Sequence, residues 1–287
     1  MRLLTVLLCV LALASCKKEE LVTVDNNIPP EDYTIEPVVV ENYINRTYIL
    51  TLGREPDETE FSTARQALLN SGVDSASRQN FLESVFSDPS YLPAVYNQNK
   101  IDLLNNVDTA EFTNWINIFE FLLQDSTNIT SWPALQQQQD RLIELRNAFP
   151  AFINGTIGVD ELQRRMCNNY LYDQINMGAA NFVISTFQHL INRNPTISEQ
   201  QNGINMVGGI NAVLFLQAGS NQNDYLNILT HSSNYFESQV VLLYHKFLNR
   251  EPITEEMLSG TQKYSSTGDY TAVQRDILAT NEFIGIQ

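Results

Sequence analysis

The chain is poor in cysteine, in histidine, in basic residues and in long apolar runs, and each shortage narrows what it can do. It has three cysteines, and two of them, Cys9 and Cys16, lie in the first sixteen residues. Cys167 is then alone, too few for an internal disulfide or a paired-cysteine metal site. The three histidines, His189, His231 and His245, have no metal-ligand spacing. Seventeen Lys and Arg face thirty-three Asp and Glu, a formal net charge of −16. Such a chain repels phosphate backbones, so no nucleic-acid partner is expected. It also repels an anionic membrane surface. No run reaches the roughly 20 apolar residues that a membrane-spanning helix needs. There is no Gly-rich phosphate loop and no G-x-S-x-G elbow. The carboxylates are numerous, but none is set apart as an acid–base pair, as a glycosidase would require. No catalytic residue, cofactor or metal site is marked.

What is present begins at the first residue. Met1-Arg2, an apolar run from Leu3 to Ala14, and Ser15-Cys16 read as a secretory signal peptide. Leu13-Ala14-Ser15-Cys16 resembles the bacterial lipobox, which implies that Cys16 is acylated and begins the mature chain. Removing Arg2 makes that chain one unit more acidic. Lys17-Lys18-Glu19-Glu20 resembles the export signals of Bacteroidota-type surface lipoproteins. The resemblance implies an outer-membrane protein held by the acyl groups on Cys16, with exposure at the cell surface as an open alternative. Several acyl chains are needed for stable anchoring, because one binds only marginally. From Lys17 to about Pro37 the sequence is polar, holds Pro29-Pro30 and reads as a tether.

Three nine-residue stretches organise the rest. Tyr48 to Pro56 ends in Leu52-Gly53-Arg54-Glu55-Pro56, Phe187 to Pro195 in Ile191-Asn192-Arg193-Asn194-Pro195, and Tyr244 to Pro252 in Leu248-Asn249-Arg250-Glu251-Pro252. Before each Arg, apolar residues recur every four positions (Ile44, Tyr48, Leu52; Val183, Phe187, Ile191; Val240, Tyr244, Leu248), one face of a helix. Gly53, Asn192 and Asn249 are the residue types that tolerate a left-handed helix cap. Pro56, Pro195 and Pro252 prevent the helix from continuing. Asp57 to Glu60 and Thr196 to Glu199 are capping boxes opening the next helix. In the third copy Ile253 fills the cap slot, so the cap is expected one residue later, at Thr254. Ser90-Tyr91, Asn234-Tyr235 and Glu282-Phe283 close the units.

The expected fold is all-α: a multi-helix array of three L-[GN]-R-x-P helix-turn-helix repeats with an inserted helical segment. Its boundaries are 1–15 for the signal peptide, 16–37 for the lipidated Cys and tether, 38–96 for the first repeat, 97–176 for the insert, and 177–287 for the other two repeats. In the insert, helices are expected from Asp108 to Leu123, from Pro133 to Phe149 and from Val159 to Tyr172, with a loop from Asp125 to Ser131. No strands are expected. The repeats are similar to small helical repeats related to phycobilisome-linker domains. That resemblance implies no common enzymatic activity and carries no catalytic residue.

Arg54, Arg193 and Arg250 follow helix C-termini, where a cation is favoured by about 0.3–1 kcal/mol, and a structural role suffices for them. They would grip an acidic glycan or carboxylate only if their three helix ends pointed the same way. The candidate contacts for a ligand are Trp132, in the loop before Pro133, and Tyr172, Asp173 and Asn176. The last three are a polar block beside Gly178-Ala179-Ala180 that could line a pocket or simply cap a helix. The function expected is a lipid-anchored, non-catalytic binding or scaffold protein with a protein partner in the envelope. A glycan-binding or glycan-degrading accessory is the alternative.

Overall fold

The computed structural model describes residues 35–286. The expected signal peptide, Cys16 and almost all of the tether lie outside them. The first repeat is three helices: α1 (Pro37–Leu52), α2 (Glu58–Asn70) and α3 (Ser75–Phe86). Next come α4 (Tyr91–Leu104), α5 (Thr109–Gln124), a 3₁₀ turn (Ser126–Ser131), α6 (Trp132–Arg146), α7 (Ala148–Ile153), α8 (Val159–Cys167) and α9 (Tyr170–Ile175). The second repeat is α10 (Ala179–Leu190), α11 (Ile197–Val207), a hairpin of β1 (Ala212–Leu214) and β2 (Gln217–Gly219), and α12 (Gln222–Thr230). The third is α13 (Ser233–Leu248), α14 (Thr254–Thr267) and α15 (Tyr270–Leu278), followed by α16 (Asn281–Ile284). The fold is all-α apart from that two-stranded hairpin.

Local chemistry accounts for the repeat. Gly53, Asn192 and Asn249 have φ of +70°, +53° and +53°, the left-handed conformation that reverses the chain after a helix. Asp57 and Thr196 each accept from the backbone N–H three residues on, while Glu60 and Glu199 bond back to the cap residue. The third copy corrects the expected cap. Ile253, not Thr254, is the cap residue. An isoleucine has no acceptor, so only the Glu256 half of the box forms, with Ile253 N–H donating to Glu256 at 2.8 Å.

A fourth, altered unit lies in the supposed insert. Each unit's third helix ends in a polar residue, two spacers and a buried ring: Asp88 with Tyr91, Ser232 with Tyr235, Thr280 with Phe283, and also Asn169 with Tyr172. The Ser232, Thr280 and Asn169 side chains accept from the backbone N–H of their ring residue. Tyr91 begins a helix that is capped at Asn105, φ +50°, and Tyr235 lies in the first turn of one that is capped at Asn249. α4 packs on α8 as α1 packs on α3 and α13 on α15. The Arg slot holds Asn106, and α5 leaves to form a long hairpin with α6. The expected boundary at 96/97 therefore falls inside α4.

Other differences have plain causes. The stretch from Val159 to Tyr172 is two helices, because the Asn169 side chain caps a new one. The Asp125–Ser131 loop is a 3₁₀ turn capped by Asp125. The helix from Trp132 stops at Arg146, and Phe149, 39% exposed, belongs to α7. The hairpin was unforeseen because its turn is Phe215-Leu216, at φ +49° and +65°, where Asn-Gly is the usual signal.

One core runs through the units, with Tyr43, Tyr172, Tyr225, Phe187 and Phe247 fully or almost fully buried. Each such ring stabilises the fold by about 1.5–3 kcal/mol. The first and last units meet. Tyr43 and Phe283 stack edge-on at 5.9 Å, and Arg46 donates to the Phe283 and Phe247 carbonyls at 3.0 and 3.3 Å.

Candidate functional site

The three arginines are spent on joints. Arg54 makes a fork of two 2.7 Å bonds with Glu60, donates to its neighbour's carbonyl at 3.1 Å, and lies 5.3 Å over the Tyr48 ring. Arg193 repeats this with Glu199, the Asn194 carbonyl and Phe187. Arg250 repeats it with Glu256, the Glu251 carbonyl and Tyr244. The glutamate that closes the capping box is the one that grips the guanidinium, so a single carboxylate ties the end of one helix to the start of the next. Arg54 adds Asp88 at 2.7 Å and Arg250 adds Glu282, whereas Arg193 has no second carboxylate among the described residues. The fork with Arg193, helped by the Thr196 N–H and hydroxyl, holds the Glu199 carboxyl down at about 2. Glu60 and Glu256 are lowered by the same fork. None of these three guanidiniums is left unpaired for an acidic ligand.

Beside each joint, the second and third helices of the unit form a groove, and its state differs from unit to unit. In the Arg54 unit it is open, a hollow of about 690 Å³ floored by Tyr48 and Phe81 and walled by Ala64, Ala67 and Ser84. In the Arg250 unit the equivalent hollow, floored by Tyr244 and Val273, is about 300 Å³. Lys263, thirteen residues after the Arg as Ala67 is, pairs there with Asp276, four before the cap residue as Ser84 is. That ion pair bridges the groove. In the Arg193 unit the same two positions hold Met206 and Ile228, and the hairpin fills the space. Gly219 sits between them: an added Cβ would lie 2.8 Å from the Asp224 Cβ, 3.2 Å from Ile228 and 3.4 Å from Met206. Only glycine fits. Phe215 packs on Phe187, the counterpart of Tyr48, at 6.1 Å. Asn202 donates to the Val213 carbonyl at 2.9 Å. The turn holds two bulky residues left-handed, at on the order of 1–2 kcal/mol each, and burial of Ala212, Leu214 and Phe215 offsets that strain.

A second feature is a polar cleft of about 520 Å³ where α4, α8, α10 and α13 converge. Four of its lining residues, Gln98, Asn99, Lys246 and Tyr270, also line an adjoining hollow of about 280 Å³ against α1. Its wall is preset from behind. Buried Tyr235 donates to Gln163 Oε1 at 2.8 Å, Gln163 Nε2 donates to Asn99 Oδ1 at 2.7 Å, and Asn99 Nδ2 donates to the Val95 carbonyl at 2.8 Å. His189 meets the Tyr172 hydroxyl through Nδ1 at 2.9 Å. Burial lowers the pKa of His189. Lys246 is reachable by solvent, yet protein crowded around its ammonium disfavours the charged form and lowers its pKa too. Asp102 and Lys246 hold equivalent positions, each eleven residues after its unit's ring residue, Tyr91 or Tyr235, and both line the cleft.

The residues singled out from sequence do not assemble into a pocket. Trp132 is not in a loop: it opens α6, half-buried, with its indole N–H on the Asp125 carbonyl at 3.3 Å. Tyr172 is fully buried with its hydroxyl on His189. Asp173 accepts from Gln222 at 2.9 Å, and burial raises its pKa. Asn176 ends α9 and donates back to the Tyr172 carbonyl at 3.1 Å. Neither Asp173 nor Asn176 caps α10, whose cap residue is Gly178, φ +89°. Buried Cys167 has its thiol pKa pushed up by desolvation. Among the described residues no His/Cys/Asp/Glu group could hold a metal ion, and no helix is long and apolar enough to cross a membrane. No protein-family model, curated protein or solved structure matches the chain.

Proposed function

We propose that this is a lipid-anchored, non-catalytic binding or scaffold protein of the outer membrane, tethered through acyl groups on Cys16, whose Arg54 groove takes an extended segment of a protein partner. The observation that carries the reading is the Arg193 unit, where the chain's own hairpin occupies the equivalent groove. The occupant follows from that precedent. It has a small residue where Gly219 sits, between the second and third helices, and a ring or aliphatic side chain on Tyr48 where Phe215 rests on Phe187. Glu60, Asp74 and Asp88 line the groove beside one guanidinium, Arg54, and favour a basic residue at the segment's flank.

The test uses a synthetic hairpin copied from residues 210–221 as probe. Its addition to the full chain is expected to shift the methyl resonances of Ala64 and Ala67. Combining Ala67→Lys with Ser84→Asp, which copies the bridge of the Arg250 unit, removes the shift of the Ala64 methyl. Unchanged Ala64 and Ala67 signals at millimolar peptide would sink the groove reading. The anchor is tested separately: Cys16→Ala abolishes fatty-acid labelling, and persistent labelling contradicts the assignment.

A further inference from the structure

We infer that the cleft between α4, α8, α10 and α13 is a saccharide site for a neutral, hydroxyl-rich sugar. This goes beyond the groove and does not depend on it. A sugar hydroxyl is both donor and acceptor, and carboxamides match it because each carries both functions on one rigid plane. The cleft gathers five of them, among them Gln98, Asn99, Gln163 and Gln239, from four helices of three units. Gln163 and Asn99 are oriented by bonds behind them, and each keeps one amide hydrogen beyond its single donated bond. Gln239 is 2% exposed, so its position is set by packing. A site preset in this way binds without the cost of ordering its own side chains.

Charge chooses among oxygen-rich ligands. Among the described residues Lys246 is the cleft's only Lys or Arg, and Asp102 answers it from the equivalent position of another unit. The pair cancels. An anion would face Asp102 and then a strongly acidic protein, whereas a neutral sugar meets donors and acceptors without that repulsion. The volume, about 520 Å³ with a further 280 Å³ adjoining, lies in the range of small-ligand pockets. Tyr270, shared by both hollows, supplies a ring at their junction.

The experiment is a binding screen of the full acylated chain in detergent. The probes are oligosaccharides of neutral hexoses and N-acetylhexosamines, with uronate-containing counterparts alongside. Neutral members are expected to bind. Gln98→Leu and Lys246→Met, both at exposed positions, should each weaken binding about tenfold, the effect of one lost hydrogen bond, at unchanged melting temperature. Gln163→Leu should weaken it further, but that residue is buried, so the two surface variants keep the test decisive if it misfolds. The Ala67→Lys, Ser84→Asp pair leaves sugar binding unchanged, which separates this site from the groove. The inference is overturned if no neutral oligosaccharide binds. Preference for the uronates, or indifference to both surface substitutions, overturns it equally.

Discussion

The Arg54 and Arg193 units share a joint, a ring under the guanidinium and a helix pair, yet one groove is empty and the other full. The difference lies in two side chains and a loop. Ala67 and Ser84 leave room in the first, while Met206 and Ile228 meet an inserted hairpin in the second. The Arg250 unit is intermediate, with Lys263 and Asp276 reaching across. A repeat can therefore keep its frame and change what its groove holds. The joint belongs to the fold; the groove is where the units diverge.

The comparison can be broken at its tightest point first. Gly219→Leu should destabilise by about 1–3 kcal/mol, as overpacking does, because Asp224, Ile228 and Met206 leave no room. Ala67→Leu, in the open groove, should stay within about 0.5 kcal/mol. Urea denaturation of both variants checks the contrast, and equal losses would contradict it. Next come the joints. Arg54→Ala and Arg250→Ala strand two carboxylates each and should cost about 1–2 kcal/mol after discounting for their solvent access. Arg193→Ala strands one and should cost less, by thermal melting.

A smaller effect follows from pH. Glu199 is depressed to about 2 in the folded chain by Arg193 and the capping bonds, against roughly 4.3 for a free glutamate. A depressed carboxyl contributes stability above its unfolded pKa, and that contribution is lost as pH falls toward 2. The wild type should lose more stability than Glu199→Gln between about pH 5 and 2, and parallel acid-denaturation curves would refute the linkage. The smallest change is expected for Lys263→Ala, within about 0.5 kcal/mol because the pair is exposed. It should let the hairpin peptide reach the Arg250 groove, read from the Gly260 amide signal.

What was legible in the sequence was whatever a short window contains. The left-handed caps at Gly53, Asn192 and Asn249, the two full capping boxes and the three joints lie within about a dozen residues of each Arg. Even there a pairing of each Arg with a carboxylate of a neighbouring helix could be expected, but not which one, although Glu60, Glu199 and Glu256 all stand six residues after their Arg. The Arg-less unit escaped because Asn106 replaces its marker and α5 to α7 separate its first and third helices. Its Asn169–Tyr172 closing pair was the available signal. The hairpin escaped because Phe215-Leu216 lacks turn residues and gains its stability from Phe187 on another element. The cleft was illegible for a deeper reason: its carboxamides come from helices well over a hundred residues apart, and each alone reads as surface.

The most direct test of the groove account is a photoreactive side chain placed at Ala67 and, separately, at Ser259 in intact cells. The account predicts one discrete protein adduct at Ala67, suppressed by the 210–221 hairpin peptide, and none at Ser259, which lines the smaller Arg250 hollow with the Lys263–Asp276 pair kept in place. Equal labelling at the two positions, or an Ala67 adduct that the peptide does not suppress, would contradict it.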